Sequence, residues 1–270
     1  VRQYGRALVR RVAVIIASRR VIRVSGSGLV DDIVVQMQSR LDALPTASPR
    51  RPFLSTYLRT TQAVGDAVGA GGFLDPGWVE RWDVAFAQLY LHAHDAFVSG
   101  ESSAVPRPWR LAFTAPDDLP ALRHVLLGIN AHVNYDLPQA MLSVISPTDF
   151  ADGSLVRRRR SDHERIDDVL SSRVKAEDDQ LGDARTLLDR VLAPLNRLAS
   201  KRVLREARQK VWLNVEALNA ARLDGDSVYV TRLGELEVLS AARIADLLAP
   251  GQVLLRLAVA GFGVVLPPGA

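Results

Sequence analysis

The chain has no cysteine among its 270 residues. That excludes a disulfide framework, a thiolate nucleophile and a cysteine-ligated zinc, and it fits a reducing cytoplasm. No uncharged apolar run reaches the roughly 18 residues of a membrane span; the tail from Val253 to Leu266 is apolar but short, and Arg256 interrupts it. There is no glycine-rich phosphate loop, no GxSxG and no HExxH, so the common nucleotide, serine-hydrolase and zincin motifs are missing. No internal repeat occurs. Alternating Val/Ile stretches flanked by turn signals are also missing, except for Ser227–Val230 and the N-terminal arm, so little sheet is expected.

Acidic residues are lacking in one place only. Residues 1–28 contain seven arginines (Arg2, Arg6, Arg10, Arg11, Arg19, Arg20, Arg23) and no acid. The whole chain has 34 Lys+Arg against 30 Asp+Glu. Without the arm, 27 basic residues face 30 acidic ones, a net charge of −3. The body therefore gives no electrostatic case for nucleic acid. The arm reads as a basic N-terminal arm or extension outside the fold, as an element packed on the body, or as a membrane-surface or nucleic-acid arm. It makes a poor signal peptide, because Arg19, Arg20 and Arg23 break and follow its short apolar run.

What remains is helical periodicity. Helices are expected from Asp31 or Asp32 to Leu44, over 55–69, and from the Asp75-Pro76 start signal to Phe97. A loop over 99–108 precedes a central helix over 119–145, which Pro138 should kink or break. The Arg157–Arg160 run reads as a solvated linker. Helices over 162–178, 181–198, 201–223 and 232–248 follow. The expected fold is all-α: a single compact helical domain of about eight helices over 29–270.

Within the central helix, GINAHVNYDLP (128–138) combines an apolar stripe (Leu122, Leu126, Ile129, Val133, Leu137) with many polar side chains. His132 and Asp136 are four apart and share a side of the helix; Asn130 and Asn134 form a second such pair. Buried polar groups need partners. One reading makes His132 a general base, Asp136 its orienting acid, and Asn130 or Asn134 an oxyanion donor. The plain reading is a core histidine and asparagines satisfied by their neighbours.

A sharper reading involves metal. His163/Asp167 repeats the HxxxD spacing of His132/Asp136, and four N/O ligands suit Zn, Fe or Mn. Chance HxxxD pairs are common, and His163 stands among charges, so no cofactor is expected and a divalent metal is the minor alternative. Asp83, Tyr90 and His94 share a face of the helix after Pro76. Trp212 and Glu216 share a side of a later helix that also carries Asn214. These read as a pocket wall or, more plainly, as a core Trp with a bonded N–H.

These segments carry a resemblance. GINAHVNYDLPQAML resembles the GxNAHINxDLPxAL string of an actinobacterial family known only as domain of unknown function 5995. LVDDIVVQMQSRLDALP, DPGWVERWDVAFAQLYL, VPRPWRLAF, DHERIDDVL and KVWLNVEAL resemble further family segments, in order, over roughly residues 29–248. The resemblance implies a compact helical protein and marks Asp83, Asn130, His132, Asn134, Asp136, Asp162, Trp212, Asn214 and Glu216 as the family's polar positions. His163 and Asp167 depart from the family pattern.

The combined expectation is a cytoplasmic small-molecule enzyme of actinobacterial metabolism, specialised metabolism included, such as a cyclase, isomerase or hydrolase. Its catalytic set is His132, Asp136, Asn130 and Asn134. Its substrate-binding set is Asp83, Tyr90, Asp162, Trp212, Asn214 and Glu216. The alternative is a non-catalytic helical module that binds a hydrophobic small molecule or a protein partner.

Overall fold

A computed structural model describes residues 28–180 and 201–269, except 252, 254, 255 and 258–260, and omits the side chains of 167, 170–180 and 201–205. The arginine-rich arm up to residue 27, the helix expected over 181–198 and the Asp167 carboxylate lie outside these residues.

The described residues are helical, with no strand. In order they form α1 (Gly28–Ala43), α2 (Arg51–Gly69), α3 (Pro76–Val98), a 3₁₀ turn (Ser102–Ala104), α4 (Arg107–Phe113) and α5 (Ala121–Ala131). A π-helical turn (His132–Asp136), α6 (Leu137–Ser143), α7 (Pro147–Ala151), α8 (Gly153–Gln180), α9 (Lys201–Asp224) and α10 (Asp226–Leu248) complete them. With α5, the π turn and α6 counted as one continuous helix, the described residues form nine.

Helix starts follow the local chemistry. The Asp75 carboxylate accepts from the Trp78 amide at 3.1 Å, and Pro76 opens α3, where an unused N–H makes proline harmless. Ser146 and Asp149 form a reciprocal capping box for α7. Two expectations are corrected. Ser227–Val230 is no strand but the first turn of α10. Gly225, at φ 128°, turns the chain there, and Asp226 places a carboxylate in that first turn, where the helix dipole favours it. The Arg157–Arg160 run is no linker but part of α8. Arg159 is buried there, pairs with Asp149 at 3.2 Å and lies over the Trp78 ring.

The central helix holds the molecule together. α2, α4 and α10 pack on α5; α3 and α9 pack on α6; α3 and α10 pack on the π turn. Neighbours on several sides leave no polar face, and Leu126, Leu127, Asn130, Ala131 and Met141 are all fully buried. Approach is closest at Gly128. A Cβ there would lie 2.3 Å from a ring carbon of Phe53, so only glycine lets α2 and α5 meet at this point.

Two apolar clusters flank this axis. One gathers Phe53, Tyr57, Tyr90, Trp109 and Leu126. The other gathers Trp78, Trp82, Tyr135, Met141, Trp212 and Leu236. Phe86 packs against both. The π turn stands beside this junction. Its cause is Pro138, which has no N–H and whose ring would strike the carbonyl four residues back. The wider turn relieves the clash, and the Leu137 amide bonds to the His132 carbonyl five residues earlier. The expected interruption near Pro138 is thus a widened turn ahead of the proline rather than a break.

Candidate functional site

The π turn brings His132 and Asp136 face to face. His132 Nδ1 lies 2.8 Å from Asp136 Oδ2, and both residues are buried, at 3% and 1% exposure. The same carboxylate oxygen accepts from the Trp109 indole N–H at 2.7 Å. In the tautomer that donates from Nδ1 to this carboxylate, the lone pair lies on Nε2. Burial drives the His132 pKa well below its usual value, so the ring is neutral at physiological pH. Among the described residues Nε2 has no hydrogen-bond partner.

Aromatic rings surround the imidazole. Phe86 stacks on it at 3.5 Å with 4° between planes. Tyr57 meets it edge-on at 4.4 Å. Phe53, Trp109 and Tyr90 stand at 6.0, 5.8 and 6.2 Å. The residues that spacing analysis missed are therefore Tyr57, Phe86 and Trp109. Trp109 had a visible signal, because it lies in the VPRPWRLAF segment that accompanies the family string.

Asp83, expected at the site, is buried at 6% exposure on α3. Burial raises its pKa to about 7, and its Oδ2 lacks a partner. It acts electrostatically on Tyr57, whose phenol is pushed upward by burial, then by Asp83 and Asp136. Thr61 lies close enough to oppose that shift in part, yet neither hydroxyl completes a hydrogen bond. Tyr57 thus feels the Asp83 charge and meets the His132 ring, and Tyr57 Oη, Thr61 Oγ1, Asp83 Oδ2 and His132 Nε2 are all buried and, among the described residues, unsatisfied. Each such atom costs about 1–3 kcal/mol if left so. Tyr90 is also buried, with a hydroxyl unpartnered among the described residues; its ring adjoins Tyr57 and His132, and the charges that act on its phenol are Arg50, Asp95 and Arg40.

The other expected residues fall into two separate groups. Asn130 donates to the Leu126 carbonyl at 2.9 Å and accepts from Asn134 at 3.3 Å. Asn134 and Asn214 bond to the backbone of residues 262–266. The asparagine amides are thus bonded to main chain and to each other.

The third group lies on α8 and α9. Both Asp162 oxygens accept backbone amides, from Leu74 and Asp75, at 2.7 Å each; this carboxylate ties α8 to the turn before α3. His163 is no surface residue, as its charged neighbours suggested, but is 1% exposed. Its Nδ1 accepts from the Trp212 N–H at 3.2 Å, its carbonyl accepts from Arg208, and Trp82 meets its ring edge-on at 5.3 Å. Burial, then Arg208 and Arg160, hold its pKa well below normal. Glu216 stands outside, paired with Arg160 at 2.7 Å, and that guanidinium covers the Trp212 ring.

The two histidines are enclosed by different rings, and each has its Nδ1 engaged by another protein group. Among the described residues no three His, Asp or Glu side chains converge as a metal would require. The paired HxxxD arrangement therefore does not assemble from His132, Asp136 and His163; Asp167 lies outside the described side chains.

The sequence pattern of the family of unknown function DUF5995 matches residues 30–250. The chain belongs to this family. The matched span contains the π turn and all three polar groups, and it ends shortly after α10. No curated protein and no solved structure matches the chain.

Proposed function

We propose that the protein is an enzyme acting on a small organic molecule, with His132 as general base and Asp83 as general acid. The observation that carries this reading is the free Nε2 of a neutral imidazole whose other nitrogen is fixed by Asp136. A base needs that tautomer, that protonation state and an unused lone pair. Asp83, with a pKa of about 7, holds its proton about half the time near neutrality, which suits an acid. Tyr57, which meets the His132 ring, and Thr61, which acts on Tyr57, supply hydroxyl donors for a developing negative charge. Proton abstraction by one group and return by another serves an isomerase, a cyclase or a hydrolase. In this scheme Asn130, Asn134, Asp162 and Asn214 do not touch substrate, because their polar atoms bond to backbone and to each other.

The rest of the expectation belongs to this proposal. No metal or other cofactor takes part in the steps, and nucleic acid is not a partner. Among the described residues no helix is long and apolar enough to cross a membrane. We place the protein in the cytoplasm of an actinobacterium, where specialised metabolism supplies varied small substrates.

A second reading has one specific observation in its favour. Five aromatic side chains close around His132, and Phe86 lies in direct contact with its ring. A shell that tight suits a non-catalytic module in which the histidine braces the core.

Incubation with a fractionated metabolite extract, followed by mass spectrometry, separates the two. The enzyme reading expects at least one metabolite to be consumed and a product to appear, with both changes lost in His132→Gln and Asp83→Asn variants that melt cooperatively. A small molecule recovered unchanged from the wild type, with no turnover of any fraction, would favour the module.

A further inference from the structure

The hydrogen bonds that hold the segment Gly261–Pro267 to the helices go to its backbone. Asn134 Nδ2 donates to the Phe262 carbonyl at 3.3 Å, and Asn134 Oδ1 accepts from the Val264 amide at 3.2 Å. Two residues on, Asn214 repeats the pattern: Nδ2 donates to the Val264 carbonyl at 2.9 Å, and Oδ1 accepts from the Leu266 amide at 2.8 Å. Cationic side chains take further carbonyls. Arg243 bonds to that of Gly261, Lys210 to that of Gly263 at 3.4 Å, and Arg232 to that of Pro267 at 2.6 Å.

A repeat of two residues is the period of an extended chain. The side chains agree. Phe262, Val264 and Leu266 pack on the apolar clusters, whereas Val265 is 39% exposed. At Gly263 a Cβ would come within 2.8 Å of the Lys210 side chain. Each asparagine thus bonds the carbonyl of one residue and the amide of the residue two further on, as a residue of a neighbouring parallel strand would. Asn134 and Asn214 are 1% exposed; without the segment Asn134 would keep only its contact with Asn130, and both side-chain oxygens would lose the amides they accept from. The groove residues Asn134, Lys210, Asn214, Arg232 and Arg243 all lie within the family match, while the segment that fills the groove lies beyond it.

We propose that the groove lined by the π turn, α9 and α10 is a peptide-binding site, occupied here in cis by the chain's own C-terminal segment. Its ligand class is an extended, uncharged peptide with apolar side chains at alternate positions, read through its backbone by Asn134 and Asn214. This proposal is independent of the chemistry at His132.

The test uses the full chain with a protease site inserted after Gly251 and cut once folded. A labelled synthetic peptide of residues 252–270 is then added in excess. Exchange of the label into the cut protein, saturable and absent with uncut chain, is expected. The same peptide N-methylated at Val264 and Leu266, which keeps every side chain but removes the two donors, should bind at least tenfold more weakly. No exchange into cut protein that stays folded, or equal binding of the methylated peptide, would overturn the proposal. Should cutting unfold the protein, hydrogen exchange on the intact chain decides. Val264 and Leu266 amides that exchange at least tenfold faster than those of α9 support a separable ligand. Protection equal to that of α9 makes the segment part of the core and defeats the idea.

Discussion

The His132 imidazole lies flat on the Phe86 ring, 3.5 Å from centroid to centroid and 4° from parallel. A ring trapped in this way has one orientation, and the Asp136 contact at its Nδ1 edge selects one tautomer. Position and proton are therefore set by different partners, one apolar and one charged. Phe86→Ala should remove the first without the second. Phe86 is half-buried, so its loss should lower stability by less than a fully buried ring would, about 1–3 kcal/mol, and the imidazole should gain access to water. Histidine NMR would then show a His132 pKa risen toward its ordinary value; a pKa still far below it would mean that Phe86 does not supply the burial.

Trp109 and His132 share one Asp136 oxygen. Trp109→Phe keeps most of the ring and deletes the N–H. Loss of a hydrogen bond to this buried carboxyl group should cost about 1–3 kcal/mol, and the Asp136–His132 contact should become stronger in compensation. A double-mutant cycle with Asp136→Asn measured by urea denaturation tests this. Additive effects would show that the two donors are not coupled through the carboxylate.

Burial raises the Asp83 pKa from 3.8 to about 7. Between those values the folded state holds a proton that the unfolded state has released. Stability therefore falls as pH rises from about 4 to about 7, by on the order of 4 kcal/mol from this group alone, and changes no further above that. His132, with its pKa lowered, acts oppositely, because the unfolded state binds its proton first and stability falls as pH drops below about 6.5. Asp83→Asn abolishes only the first effect. Melts at pH 5 and pH 8 should show the variant less sensitive to alkaline pH than the wild type, and more stable than it at pH 8. Parallel pH profiles would show that Asp83 does not carry the shift.

How far the sequence revealed this arrangement depends on the range of the interactions. The i,i+4 pairing of His132 with Asp136 is local, and helical spacing alone placed them together. The Asp75 cap and the disturbance before Pro138 are local too, and both were legible. The partners Trp109, Tyr57 and Phe86 come from other helices, so no periodicity within 128–138 names them. His163 shows the opposite failure. Its neighbours Asp162, Glu164 and Arg165 suggested solvent, yet Asp162 turns inward to two backbone amides and Trp212 covers the imidazole. The asparagines follow the plain reading of core amides satisfied by neighbours: Asn130 bonds the Leu126 carbonyl and Asn134, and Asn134 bonds a segment, 262–264, that no spacing within the helix names. Arg157–Arg160 read as a solvated linker because a charge run hides which of its members has a buried partner; Arg159 does, in Asp149 and Trp78.

Gly128 gives the most direct test of the packing that positions the site. It is buried on α5, and its Cα face meets the Phe53 ring; a methyl group there would sit 2.3 Å from the nearest ring carbon. Alanine is intrinsically favoured over glycine in a helix by about 1 kcal/mol, so a stabilising effect is the expectation from propensity alone. The contact reverses it. Neither helix can retreat freely, because α2 and α5 are both pinned by further neighbours, and overpacking of this kind costs about 1–3 kcal/mol or more. Gly128→Ala should therefore be net destabilising, and Phe53→Leu should relieve part of the loss although it is destabilising by itself. Phe53 also stands 6.0 Å from the His132 ring, so the displaced phenyl should perturb the histidine as well as the fold. Thermal melts of the two single variants and the double variant check the energetics, and the His132 imidazole resonances report on the site. A Gly128→Ala protein as stable as the wild type, with unchanged His132 resonances, would show that the α2–α5 approach is looser than the geometry requires.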